Sequence, residues 1–330
     1  MKSDMDALME KRDLEAILVV GHEGYNPERY YMTNGARITG GVVAKKRGVA
    51  PIIVANPMET QEAAESGHQV YSWYDMGWAE LLEEAEGDRS KVYAGLWVNT
   101  LKALDTPGGK VGIYGTGQIN LFVELVERIN SHQAEYQFVG EMGVTLFDEA
   151  FLTKDAAELA ILQSVAKRGS EVMGLAWDFI STHRAQGDAV VKADGTPLTI
   201  GDVKLFVRRE LMERGLQDTG MIFSQGVDSG HPHSRGKDED VLKVGQSIVF
   251  DCFPMEFGGG YYFDTTRTWC IGHAPDEVKQ AYDDVMDAFD VAIETFRVGQ
   301  PAHQLQERVQ DFLESKGHPT TRSDPKTSAG

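Results

Sequence analysis

Apolar and polar positions follow two different rhythms along the chain. In the first part, helical and strand patterns alternate. Met5, Leu8 and Met9 recur at helical spacing, and the apolar run over residues 14–20 reads as a strand, after which the stretch GHEGYNPERYYMTNG is rich in turn formers. Further strands are predicted over 41–44, 50–55, 70–73 and 110–114, with a helix over 118–129. Such alternation builds an α/β domain, which we assign to residues 1–148. From Thr153 the rhythm becomes helical: Leu159, Leu162, Val165, Val172, Met173, Ala176 and Ile180 fall on one face of a long amphipathic helix, with Thr153 as its expected N-cap. A second helix is predicted over 201–214, started by Thr199 and ended by Gly215. Two more are predicted over 275–296 and 302–316, around the breaker Gly299-Gln300-Pro301. Residues 219–272 between them read as β-structure, which makes residues 149–330 an α+β domain.

Within that β-region, two runs rich in aromatic and β-branched residues, 249–257 and 261–271, flank Gly258-Gly259-Gly260 and predict a hairpin. Each run carries one aspartate, Asp251 or Asp264. A turn symmetric about the glycines sets the two directly opposite each other, where cross-strand Cβ atoms lie about 4.5–5.5 Å apart. Two carboxylates that close repel unless one takes up a proton or a cation sits between them. A pair of divalent metals about 3.5–4 Å apart is one such arrangement, and a hydrolytic one. Thr266 and Thr268 share the aspartate face, whereas Phe250, Cys252, Phe263 and Trp269 are expected to pack inward, with Arg267 as a structural ion-pair partner. Spacing alone leaves open that one or both aspartates face solvent or cap the turn.

Composition narrows the function classes. At 42% hydrophobic residues over 330 positions there is material for sizeable cores, and the length suits two domains. The net charge of −19 repels phosphate backbones and anionic membrane surfaces, so nucleic acid and membranes are not expected partners. The charged N-terminal stretch does not read as a secretory signal, and no apolar run reaches the ~20 residues that span a bilayer. A cytoplasmic location is therefore expected. The two cysteines, Cys252 and Cys270, rule out a disulfide scaffold or a cysteine-ligated zinc site and read as small buried hydrophobes.

The hairpin sequence, with its Gly260-Tyr261-Tyr262-Phe263-Asp264-Thr265-Thr266-Arg267-Thr268 core, resembles the M24 metallopeptidases of aminopeptidase P and prolidase type. Residues 6–64 are similar to the creatinase-like N-terminal domain of that family, and the stretch FLTKDAAELAILQSVAKRGSEV to the entry helix of its pita-bread catalytic domain. The resemblance implies that Asp251 binds one metal ion and Asp264 bridges two. It also implies that His233, in the loop GVDSGHPH, contacts the substrate or supports the tetrahedral intermediate, with His231 as the second choice. The implied cofactors are two divalent metal ions, Mn²⁺ first and Zn²⁺ or Co²⁺ as alternatives. The implied substrates are short proline-containing peptides, cleaved by an Xaa-Pro aminopeptidase or dipeptidase, and the implied assembly is a homodimer. The family's remaining ligands, a histidine and two glutamates, have no counterpart after the last helix pair, so the pita-bread domain is expected to be incomplete here, lacking its C-terminal strands. A non-catalytic binding module and a metal-free creatinase-like C–N hydrolase are the alternatives. Paired acids count against both.

Overall fold

A computed structural model describes residues 4–21 and 24–326. The chain forms two compact units: one takes in the residues up to Ser164 together with Glu256–Tyr261, the other Val165–Met255 and the chain from Tyr262 onward.

The first unit is built on six strands, β1 (Ala16–Val20), β2 (Val42–Lys46), β3 (Ile52–Ala55), β4 (Gln69–Ser72), β5 (Gly109–Gly115) and β6 (Tyr136–Val139), in the order β4-β3-β2-β1-β5-β6. β2 runs antiparallel to both its neighbours, and the other five strands are parallel to one another. Every residue of β1 is buried, as befits a strand covered on both faces. Because side chains alternate across a strand, Ala16, Leu18 and Val20 pack on one face with helices α1 (Arg89–Ala103) and α2 (Ile119–His132), while Ile17 and Val19 join Met9, Tyr31 and Phe147 on the other. The predicted strands and the helix over 118–129 are all present. Helix α1, capped by the Asp88 side chain, and strand β6 are additional.

Glu141 ties the lower face of this unit together. Its carboxylate accepts from Tyr114 Oη at 2.6 Å, from the Leu146 backbone N–H at 2.7 Å and from Arg12 Nε at 2.6 Å. Burial alone would raise its pKa, but these three donors outweigh that and hold it below the ordinary glutamate value. Its contribution to stability is therefore complete above that ordinary value and is lost as pH falls through the lower folded value. Glu141→Gln should flatten the acid limb of stability against pH, measured by urea unfolding between about pH 3 and 7. Superimposable wild-type and variant slopes would contradict this role.

Helix α3 (Ala156–Ser181) carries the long periodic pattern. Its cap is Asp155, not Thr153. Asp155 Oδ1 accepts from the Glu158 N–H at 2.9 Å and Glu158 Oε2 accepts from the Asp155 N–H at 2.9 Å, a reciprocal capping box, while the Thr153 hydroxyl donates to Asp4. The box fixes the start two residues later than expected. Glu158 also accepts a 2.6 Å hydrogen bond from Tyr261 Oη at the base of the hairpin tip, and the Tyr261 ring meets Tyr30 edge-on.

In the second unit, helix α4 (Ile200–Glu213) begins on a capping box of Thr199 and Asp202, and Gly215, with φ of 70°, follows its C-cap as expected. Strands β7 (Ile222–Gln225), β8 (Ser247–Cys252) and β9 (Thr265–Cys270) form an antiparallel sheet with β8 in the centre. Phe223 and Phe250 are fully buried beneath it and pack with Trp269. Helices α5 (Asp276–Thr295) and α6 (His303–Ser315) follow, close to their predicted limits.

Candidate metal-binding face

Asp251 in strand β8 and Asp264, the residue just before β9, lie in one hairpin, but in a register two residues away from the expected one. Asp251 pairs with Thr266, not with Asp264. Pairing continues toward the tip through the Phe263 N–H to Pro254 C=O bond at 3.0 Å and the Met255↔Tyr262 bridge, and closes with the Glu256 N–H to Tyr261 C=O bond at 3.1 Å. The physical reason lies in the loop. Phe257 belongs to it rather than to the strand, and the left-handed residues are Gly258 (φ 87°) and Gly259 (φ 92°), so the turn is centred between these two glycines.

A slip of one residue would have sent one aspartate to the opposite face; a shift of two does not. Asp264 therefore remains on the Asp251 face as its diagonal neighbour, a relation with a typical separation of about 7–8 Å rather than direct opposition. The expectation of a buried carboxylate pair is corrected as well: Asp251 is half-buried, and Asp264, Thr266 and Thr268 are exposed. Alternation along β8 explains the contrast, since Phe250 and Cys252 on the other face are fully buried. Arg267 is also exposed, and it donates to Thr265 Oγ1 and the Thr266 carbonyl rather than to a carboxylate.

The Thr266 hydroxyl donates to Asp251 Oδ1 at 2.6 Å, fixing one oxygen of that carboxylate. Among the described residues no cationic side chain pairs with Asp251 or Asp264. The Asp264 carboxyl is held above the usual aspartate range, first by loss of solvation and then by the negative charge of Asp251. Burial pushes the Cys252 thiol up to about 12, with help from the charges of Asp218, Asp251 and Asp264, so it is an inert packing group as its sequence context suggested.

His231 and His233 follow the short 3₁₀ helix Gly226–Gly230 that ends β7, and both are exposed. The Ser234 N–H bonds the His231 carbonyl at 3.0 Å, closing a turn with Pro232 at its second position and His233 at its third. His233 has φ of 68°. Proline fixes φ near −65°, so this is a type II turn, whose third position ordinarily takes glycine. A histidine held there marks the position for attention. No hydrogen bond or ion pair among the described residues joins His233 to the aspartates. Sequence reasoning overlooked Asp218, whose Oδ1 accepts from the Gly220 and Met221 N–H groups at 2.8 Å each while Oδ2 pairs with Arg208 at 2.9 Å, setting the entry into β7. The signal was present in the Asp-Thr-Gly order, a side-chain-closed turn.

Two carboxylates with no protein cation form an all-oxygen donor set of the kind hard divalent ions prefer. Catalytic zinc sites usually have three protein ligands, and no group of three or more His, Cys, Asp or Glu able to hold a metal is assembled among the described residues. The face thus fits a cation as part of a donor set.

A 120-residue stretch is 29% identical to the probable dipeptidase PepE of Mycobacterium bovis, covering 36% of this chain and 32% of that protein. Over 170 residues the chain is 24% identical to the uncharacterized peptidase YqhT of Bacillus subtilis, covering 51% of this chain and 43% of that one. The matched stretches thus span less than half the length of either relative. Among solved structures, the Xaa-Pro dipeptidase from Bacillus anthracis superposes with a TM-score of 0.71 at 17% identity, over 96% of this chain and 78% of the other. The X-Pro aminopeptidase from Thermotoga maritima superposes with a TM-score of 0.66 at 17% identity, with the same coverage. These likenesses show the fold, the α/β plus pita-bread arrangement of prolidases and aminopeptidases P. A family profile described as metallopeptidase family M24 matches residues 182–326, the segment that contains His233, Asp251 and Asp264. Over residues 182–326 the chain is thus similar to metallopeptidase family M24.

Proposed function

We propose that the protein hydrolyses short peptides at a proline, as an Xaa-Pro dipeptidase or aminopeptidase, and that Asp251 and Asp264 hold divalent metal in its active site. The observation that carries this is the pair of carboxylates on one open hairpin face, without a protein cation, inside the family-matched segment. Further donors for such a site are not assembled among the described residues. Mn²⁺ is the first choice for an oxygen-rich site, with Zn²⁺ or Co²⁺ as alternatives. A bound divalent ion supplies Lewis-acid polarisation of a carbonyl and lowers the pKa of water.

The chain's own residues supply orientation and charge. Thr266 holds Asp251 in one rotamer through its hydroxyl, leaving Oδ2 to a cation. Asp264 carries the second negative charge, whose cost beside Asp251 a cation removes. His233, presented by its turn, is a hydrogen-bond donor for negative charge developing on the scissile carbonyl oxygen. The homodimer and the cytoplasmic setting belong to the same proposal; no described helix is long and apolar enough to cross a membrane.

The test is hydrolysis of Xaa-Pro against Xaa-Ala dipeptides by the protein expressed in full, supplied with Mn²⁺ and followed by chromatography of released amino acids. Preferential release from Xaa-Pro substrates is expected, and turnover of neither would sink the proposal. His233→Gly separates the histidine's two roles. Glycine adopts the left-handed φ freely, so the melting temperature should not fall, while activity drops about 10²–10³-fold, the range for losing one oxyanion donor. Undiminished activity would remove His233 from the site.

A further inference from the structure

We infer that the first unit carries a binding site for a small, planar, uncharged or cationic aromatic molecule bearing both an N–H donor and a carbonyl acceptor. The site is a cavity of about 340 Å³ lined entirely by residues of that unit. This lies within the size range of small-molecule sites, about 300–1,000 Å³. It opens at the carboxyl ends of the parallel strands: Gly21 follows β1, Asn56 follows β3 and Trp73 follows β4. That edge is where open α/β sheets bind ligands, and the antiparallel β2 interrupts the strand order there.

The walls are aromatic. Trp73 and Tyr93 line one part, where Trp78 bridges their rings at 5.1 and 5.8 Å between centroids, and Trp97 and Phe122, 6.3 Å apart, line another. Flat aromatic surfaces of this kind favour a flat aromatic guest. Two polar atoms give the cavity its specificity. Glu59 Oε1 accepts from the Thr39 N–H at 2.8 Å, but Glu59 Oε2 is buried with no partner among the described residues. The indole Nε1 of Trp73 is likewise buried and unpartnered. Buried polar atoms are nearly always hydrogen-bonded, and an orphan calls for an explanation. Five such side-chain atoms occur among the described residues, and two of them, one acceptor and one donor, belong to residues that line this single cavity. A guest N–H satisfies the carboxylate oxygen and a guest carbonyl satisfies the indole N–H. The Glu59 charge excludes anions. The assignment holds whether or not the hairpin aspartates serve catalysis.

Oxindole, a bicyclic lactam with both groups, is the probe, and N-methyloxindole lacks only the donor. Calorimetric titration should give saturable one-to-one binding of oxindole. N-methylation, Glu59→Gln and Trp73→Phe should each weaken binding at least about tenfold, the effect of losing one hydrogen bond in a buried site. The methylated ligand tests the wild-type protein itself, so a variant that fails to fold does not shelter the inference. No saturable binding of oxindole, or equal affinities for both ligands, would overturn it and leave an apolar hollow.

Discussion

Asp264→Asn, in the protein expressed in full and supplied with Mn²⁺, is expected to lower kcat/KM for Xaa-Pro dipeptides about 10²–10³-fold, the scale of removing one preorganised electrostatic contact. The substitution keeps the shape of the side chain and removes its charge. Asp264 is exposed, and no described side chain pairs with its carboxylate, so a purely structural role gives it little to lose. Its raised pKa has a definite sign: the native state disfavours the charged form, so at neutral pH the charge opposes folding. Asn should therefore leave the melting temperature unchanged or slightly raised while activity falls. A loss of stability with activity retained would assign Asp264 to the fold and remove it from the metal site.

Phe250→Ala should reduce the free energy of unfolding by about 3–5 kcal/mol, the range for deleting a buried aromatic ring. Phe250 is fully buried on central strand β8, with the rings of Phe223 and Trp269 both 5.3 Å from its own. It is also the residue before Asp251, and alternation along the strand makes the buried ring the anchor that turns the aspartate outward. Urea unfolding monitored by fluorescence and circular dichroism measures the loss. A change below about 1 kcal/mol would mean that the sheet core collapses around the gap, contrary to the tight ring packing.

Much of the fold was legible because the residues that build it are locally self-consistent. Strands β1 to β5 are short apolar runs bounded by turn formers, and Thr199 with Asp202 spells a capping box in the sequence itself. Helix α1 escaped prediction because its buried positions, Val92, Ala94, Leu96, Trp97, Val98 and Leu101, leave little polar contrast around the helix. Gly95 in its middle also argues against a helix, although the packing demands it: a Cβ there would lie 2.3 Å from Leu81 Cδ2. The start of α3 was misplaced because Thr153 and Asp155 are both competent caps, and only the Glu158 partner decides between them.

The candidate site was legible in its residues and not in its geometry. The hairpin and its two aspartates could be read from glycines and strand-forming runs. The register could not, because it depends on which of Phe257 to Gly260 adopts left-handed backbone, and any flanking sequence accepts either choice. Nor does a strand pattern show whether the face it presents is covered. The hydrophobic neighbours of the aspartates suggested burial, yet those neighbours occupy the opposite face. The cavity over the first sheet gave no sequence signal, since Glu59 and Trp73 are brought together by strands β3 and β4.

Binding of Mn²⁺, titrated by electron paramagnetic resonance into the wild type and into the Asp251→Asn/Asp264→Asn double variant, tests most directly whether the hairpin face holds metal. Saturable binding in the wild type that disappears in the double variant is expected. With a net charge of −19 the surface also attracts cations diffusely. Equal Mn²⁺ binding by the two proteins would assign the ion to that diffuse attraction and contradict a metal site on the hairpin.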